Sequence, residues 1–471
     1  MERLSGLDAG FLYGETPTLH MHTLKLAVLD PSFFGGANVE VLREELAKRL
    51  HLLPPFRRRV VEVPGHISHP VWIEDPEFEI ERHIRHLRVP EPGTRAQMDE
   101  VVGQLASRPL DRSRPLWELW LLDGLQDGNV AILAKIHHAA ADGVAALAMM
   151  ANALSATPAE PEEPEAEWEP EPFPSRWRLF WSALADRLRD VARLPELVIR
   201  TTRRMLRRRR WKKETSSSPP RPLVRTPPTS FNGALTANRC FASCSLSLAA
   251  AKAIKRAFGA TVTDVILACV AGSLRGYLLA NDELPSRPLV ASVPVSSGDD
   301  TGRLTGNKVS NLFTELPVNR HDPLVRLRAC HDVTLVAKEA LNVLGVELME
   351  EWVQYAPPRP YAWWVRTYSE RRWADRHRPP VNLVVSSVPG PRDKLYIGDA
   401  ELLEIYSVGP LVEGVGLNVT VWSYGEDLNV GVLSCPEFIP DPHVITGGMV
   451  DAMAELIELA AGATAAPVDS P

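Results

Sequence analysis

Between residues 157 and 230 the sequence loses the means to build a core, and that break limits every arrangement the rest can adopt. TPAEPEEPEAEWEPEPFP (157–174) is proline and glutamate with almost no aliphatic side chains, a composition that buries too little apolar surface to order itself. TSSSPPRPLVRTPPTS (215–230) is again polar and proline-rich. Between them, residues 175–214 are basic and compatible with a helix. The 471-residue chain therefore reads as two lobes, about 1–156 and 231–460, joined by a linker at 157–230 with one helix inside it. A disordered tail is expected at 461–471.

Both lobes mix element types, so an α/β (α+β) fold is expected. NVAILAKIHH alternates like a strand and GVAALAMMANAL has helical spacing. TVTDVILACVAGSLRGYLLA reads as a helix opened by a Thr261–Asp264 capping box. LNVTVWSY and LNVGVLS flank a turn at Gly425-Glu426-Asp427 and predict a hairpin, while VNLVVSS predicts a strand ending at VPGP. A net charge of −7 argues against nucleic acid as a partner. Five scattered cysteines with no CxxC pair predict reduced thiols, a cytoplasmic setting and no zinc site. The start, MERLSGLDAGF, lacks the signature of a signal peptide, and no stretch reads as a membrane span of about 20 apolar residues.

AKIHHAAADGVAAL (134–147) holds the chemistry. Taken as one strand, Val130–His138 puts Ile132, Ala134, Ile136 and His138 on one face, and Leu133, Lys135 and His137 on the other. The two imidazoles point apart and are poorly placed to grip one metal ion, so no metal is expected. A single neutral imidazole can still take up a proton near neutral pH. No G-x-S-x-G elbow occurs in the chain. Acyl transfer without a covalent enzyme intermediate fits this pattern, with the acceptor's own hydroxyl as nucleophile. Asp142 precedes the helix predicted from Gly143 and reads as its N-cap, which leaves a further part in positioning the site open.

HHxxxDG and its surroundings, LDRSRPLWELWLLDGLQDGNVAILAKIHHAAADGVAAL, resemble the bacterial wax ester synthase/acyl-CoA:diacylglycerol acyltransferase family. So do the opening LSGLDAGFLYGETPTLHMH and, in order, SVPVSSGDDTGRLTGNKVSNLFTELPV, VNLVVSSVPGP and EIYSVGPLVEGVGLNVTVWSYGEDLNVGVL. The likeness covers nearly all of the chain outside 157–230 and the tail. It implies two chloramphenicol-acetyltransferase-like lobes, each a mixed sheet with helices, with a tunnel between them. It implies His138 as general base, His137 as its structural neighbour, Asp142 as the residue orienting the loop and Gly143 as the residue permitting a tight turn. On the substrate side it implies Pro115, Leu116, Trp117 and Asp264, with Asn307, Ser310 and Asn418 as candidate donors to an oxyanion. Three polar positions depart from the family pattern: Thr263 and Ser387 stand where it has asparagine, and Ser297-Gly298 where it has a basic residue. The implied reaction moves a long-chain acyl group from acyl-CoA, a substrate, to diacylglycerol or a long-chain alcohol, with no cofactor. The sequence leaves the preferred acceptor, the acyl length and the oligomeric state open.

Trp177, Phe180, Trp181, Leu184, Leu188 and Val191 fall on one face of the predicted linker helix, opposite Arg178, Arg187, Arg189 and Arg193. Pro195 is expected to break or bend it. Such a helix suits an anionic membrane or lipid-droplet surface, or it packs its apolar face on the protein. Other functional readings stay open: a condensation or polyketide acyltransferase of the same fold, a His137-x4-Asp142 site of glycerolipid type, or a lipid-binding member without turnover.

Overall fold

The computed structural model describes residues 1–30, 38–158, 168–214, 226–296, 303–344 and 348–465. Two six-stranded sheets organise it. The first runs in the order β12 (Tyr396–Ile397), β13 (Ala400–Val408), β2 (His22–Leu29), β7 (Val130–His137), β6 (Trp117–Asp123) and β5 (Ile84–Arg88). The second runs β10 (Val309–Leu316), β9 (Leu289–Ser296), β11 (Leu383–Val388), β14 (Leu417–Tyr424), β15 (Asp427–Ser434) and β8 (Cys240–Ser247). Both are mixed: β5 lies parallel to β6, and β11 parallel to both β9 and β14. A small sheet of β1 (Glu2–Arg3), β4 (Val71–Glu74) and β3 (Arg58–Val61) stands apart.

Helices cover the sheets. One face of the first sheet carries α2 (Val39–Arg49) and α4 (Gly143–Ala153), packed over Leu121, Ile132, Ile136 and Ile405. Its other face meets α3 (Arg95–Ala106) and, beyond it, Phe241 and Leu433 of the second sheet. The second sheet's core is filled from α6 (Leu248–Phe258), α7 (Val262–Ala280), α8 (Pro323–Leu344) and α11 (His443–Ala465). The remaining helices are α1 (Gly6–Gly14), α5 (Arg176–Glu214), α9 (Leu348–Val353) and α10 (Pro358–Glu370).

The mixed fold with two sheet-bearing lobes is the one the sequence predicts, but the lobes do not divide cleanly at the linker. β12 and β13 come from the C-terminal half and complete the N-terminal sheet, β13 pairing with β2. The β14–β15 hairpin closes with the two-residue loop Gly425-Glu426, and Asp427 opens β15 instead of belonging to the turn. Gly425 sits at φ +56°, a conformation that favours glycine at the head of such loops. α7 is long and apolar enough to cross a membrane, yet it is a core helix of the second lobe. α5 continues through Pro195 without a break. α11 runs to Ala465, so residues 461–465 are helical where a disordered tail is expected, and 466–471 lie outside the described residues. So do 159–167, 215–225 and Ser297-Gly298.

Candidate active site

β7 ends at His137, and His138 opens the turn that leads into α4. Alternation then does what the sequence implies. His137 points into the protein and is fully buried, whereas the His138 ring is half-buried. His137 Nδ1 accepts the backbone N–H of Ala139 at 3.0 Å. Its Nε2 lies 3.8 Å from the Glu15 carboxylate. Burial, with Arg112 nearby, lowers its pKa to about 3, so it stays neutral.

His138 is fixed on three sides. Its backbone N–H donates to the Met21 carbonyl at 2.7 Å. Its ring stacks on Phe11, centroids 4.2 Å apart and planes 14° from parallel. Its Nδ1 lies 2.8 Å from Asn307 Oδ1. The hydrogens of the Asn307 amide go to Asp8 Oδ1 at 2.7 Å and to the His138 carbonyl at 2.7 Å. With both donors taken, Oδ1 can only accept, so His138 carries its proton on Nδ1 and presents an unprotonated Nε2. Burial lowers the pKa of His138 below the ordinary histidine value, opposed by the Asn307 hydrogen bond and the charge of Asp142. Both effects leave a neutral imidazole whose protonated form is also supported.

Asp142 uses both oxygens. Oδ1 caps α4 by accepting from Val144 N at 3.1 Å and Ala145 N at 2.9 Å. Oδ2 pairs with Arg303 at 2.7 Å and accepts from Lys308 N at 2.8 Å. Segment 306–308 is thereby clamped along 140–142, with a parallel bridge between Ala141 and Gly306. Gly306 adopts φ +78° there, which favours glycine. The clamp brings Asn307 from the second half of the chain against His138 from the first.

Several expected site residues are placed elsewhere. Gly143 has no positive φ, and a Cβ added there would meet Val388 at an ordinary 3.6 Å; the tight geometry assigned to it belongs to Gly306. Pro115, Leu116 and Trp117 are scaffold. Trp117 is buried between Phe56 and His83, donates to the Phe56 carbonyl at 2.8 Å, and Leu116 holds the His137 backbone through its carbonyl at 2.9 Å. Asp264 is spent as the Thr261 capping box and as partner of His331 and Thr334 at 2.8 and 2.7 Å. Asn418 donates to the Pro410 carbonyl and accepts from Thr420, inside the second lobe. Ser310 is buried on β10 opposite Val295. Of the candidate donors, Asn307 alone reaches His138. Asp8, Phe11, Met21 and Arg303 complete the site without a motif of their own; Asp8 and Phe11 lie in the opening block and Arg303 in the 292–318 block, but nothing in either marks them out.

Two cavities draw residues from the elements around the His138 turn. One, about 140 Å³, lies between the first sheet, α2 and α4, lined by Ile132, Ala134, Ile136, Ala146 and Met149. The other, about 560 Å³, is lined by Phe11 and Met21, which touch His138, and by Tyr361, Trp364 and Tyr368 of α10. Among the described residues no cluster of three or more His, Cys, Asp or Glu side chains could hold a metal ion.

A half-buried imidazole with an unprotonated Nε2, held at the seam of two mixed-sheet lobes, is suited to general-base chemistry. The comparisons with known proteins narrow that chemistry. The model of the "Wax ester synthase/diacylglycerol acyltransferase catalytic domain" matches residues 4–266, and that of the "WS/DGAT C-terminal domain" matches residues 305–457. The chain is 42% identical over 463 residues to "Putative diacyglycerol O-acyltransferase Rv0221" of Mycobacterium tuberculosis (strain ATCC 25618 / H37Rv), covering 98% of this chain and 96% of that one. Its fold matches "Wax ester synthase/diacylglycerol acyltransferase from Marinobacter aquaeolei VT8" with a TM-score of 0.69 and 26% identity, covering 98% and 100% of the two chains. The first condensation domain of the calcium-dependent antibiotic synthetase shares the fold alone, at 17% identity, a TM-score of 0.59, and 100% and 98% coverage. The chain belongs to the wax ester synthase/diacylglycerol acyltransferase family.

Proposed function

We propose that this chain transfers a long-chain acyl group from acyl-CoA to the hydroxyl of diacylglycerol or a long-chain alcohol, with His138 Nε2 as the general base. Nε2 takes the hydroxyl proton, and the oxygen attacks the thioester carbonyl. The tetrahedral oxyanion collapses, the C–S bond breaks, and the CoA thiolate takes the proton back from the imidazolium. Asn307 Oδ1 and the charge of Asp142 support the transient imidazolium. The step needs acyl-CoA and the acceptor, and no cofactor. The single observation that carries this reading is the Asp8–Asn307–His138 chain of hydrogen bonds, which keeps Nε2 unprotonated.

The smaller apolar cavity beneath α4 would take the acyl chain, and the larger one against α10 the lipid acceptor. The rim of the larger one favours delivery from a lipid surface: Trp363 and Trp364 are 67% and 50% exposed beside exposed Arg359, Arg366, Arg371 and Arg372. The linker helix supports the same reading. α5 docks through Leu179, Ala183 and Leu197, while Trp177, Trp181, Leu188 and Val191 of its predicted stripe face solvent. Aromatic and basic side chains together bind anionic interfaces.

Labelled palmitoyl-CoA offered with diacylglycerol and hexadecanol in parallel tests the chemistry. His138→Ala should lose roughly 10²- to 10⁴-fold in rate; full activity in that variant ends the mechanism. Flotation with anionic liposomes tests the surface, and no binding at low or high salt refutes it.

A further inference from the structure

The slot beneath α4 is apolar except for four side chains among its lining: Glu45, Arg49, Lys25 and Trp422, whose indole N–H has no hydrogen-bond partner among the described residues. Glu45 is held by Lys48 at 2.7 Å and Arg49 by Ser155 at 2.6 Å. Lys25 differs. It stands at the centre of β2, opposite Ala134 on β7 and Ser407 on β13. Ala27 and Ala134, lining the slot with it, are too short to cover it. Its ammonium donates to the Ser407 hydroxyl and lies 4.8 Å from the centroid of the Trp422 ring. Among the described residues no carboxylate is within ion-pair distance of it. An ammonium has three hydrogens to give, so donor capacity is left toward the cavity.

A lysine is an expensive way to line an alkyl slot. A buried charge without a counter-ion is strongly disfavoured, and a leucine or methionine would fill the same space without that penalty. Burial lowers the pKa of Lys25 to about 7, with the charge of Asp142 acting the other way. An accepting oxygen beside the ammonium would offset the lost hydration. A chain of methylenes would not.

We propose that Lys25 makes this slot a subsite for an oxygenated acyl chain, one that carries a hydroxyl, keto or carboxylate oxygen along its length. The inference rests on the reading that this slot receives the acyl group, and it adds a chemical preference that the His138 chemistry does not supply.

The test is a competition on the intact protein. Palmitoyl-CoA is offered against hydroxypalmitoyl-CoAs with the hydroxyl at different carbons, oxopalmitoyl-CoAs and hexadecanedioyl-CoA, with one fixed acceptor. The measured quantity is the ratio of kcat/KM values, oxygenated over plain. At least one oxygen position should be preferred, and Lys25→Met should lower that ratio roughly tenfold or more, as expected for a hydrogen bond to a charged group. Equal or poorer use of every oxygenated chain by the native protein overturns the proposal without recourse to a variant. A ratio unchanged by Lys25→Met also overturns it, because a lysine that only ties β2 to β13 would affect all chains alike. Turnover of palmitoyl-CoA with no oxygen preference refutes this inference and leaves the transfer reading standing. No turnover with any acyl-CoA refutes the transfer reading itself.

Discussion

Asn307→Ala removes the one side chain that fixes the tautomer of His138. Three hydrogen bonds go: Nδ1 to Oδ1 at 2.8 Å, and the two amide donations at 2.7 Å to Asp8 and to the His138 carbonyl. The first of these strengthens as the imidazole becomes charged. Hydrogen bonds to charged groups are worth about 1.5–3 kcal/mol, which corresponds to roughly 10- to 150-fold in rate. The pH profile separates this role from a loss of packing. With His138 as the proposed base, transfer would need it neutral, so activity should fall as pH drops through its pKa. Burial already holds that pKa below the ordinary value, and the Asn307 bond pushes it up. Without the bond the pKa falls further, so the acid limb of kcat/KM should move to lower pH while the plateau drops. Initial rates with labelled palmitoyl-CoA between pH 5 and 9 read both quantities, with melting curves run alongside. A plateau within twofold of the native value, or an acid limb that moves up in pH, refutes the tautomer argument.

Three other outcomes follow from the same geometry. Asp142→Ala strips the α4 cap and removes the carboxylate partner of Arg303, leaving it only the Thr305 and Gly306 carbonyls, so it should cost about 3–5 kcal/mol in denaturant unfolding. Trp117→Ala should destabilise by about 3–5 kcal/mol, with any fall in activity tracking the folded fraction and no selective rise in KM for acyl-CoA. His20, His22 and His137 all have lowered pKa values from burial, His20 to about 4 and His137 to about 3. The unfolded chain protonates near the ordinary histidine value of about 6.5, so stability is full above it. It should fall as pH drops below about 6.5, by up to about 1.4 kcal/mol per pH unit for each ring; a melting temperature flat from pH 7 to 4.5 contradicts this.

How much of this was legible depended on whether a residue acts within its own stretch of chain. Strand alternation placed His137 and His138 on opposite sides, and Asp142 before a helix start marked its cap, because both are local rules. The shared blocks pointed to Asn307, but to Ser310 and Asn418 equally, since only the clamp between 306–308 and 140–142 sorts them. Asp264 has the same local look whether it caps a helix or binds a substrate. The linker helix shows the limit from the other side. Periodicity found its apolar stripe, but could not say that Leu179 and Ala183 would dock it and leave Trp177 and Trp181 outside. Pro195 reads from its chemistry as a residue that breaks or bends the helix, and α5 carries on through it without a break.

The loan of β12 and β13 to the N-terminal sheet has a consequence for any attempt to separate or recombine the halves. Ile397, Ile405 and Trp422 wall the slot that Ile132 and Met149 line from the other side, and Ser407 meets Lys25 across the β2–β13 pairing. A fragment ending in the linker would expose β2 as a raw sheet edge, open to pairing with another chain. In chimeras joining the first half of one relative to the second half of another, this wall would come from neither parent alone, because the two halves build it jointly.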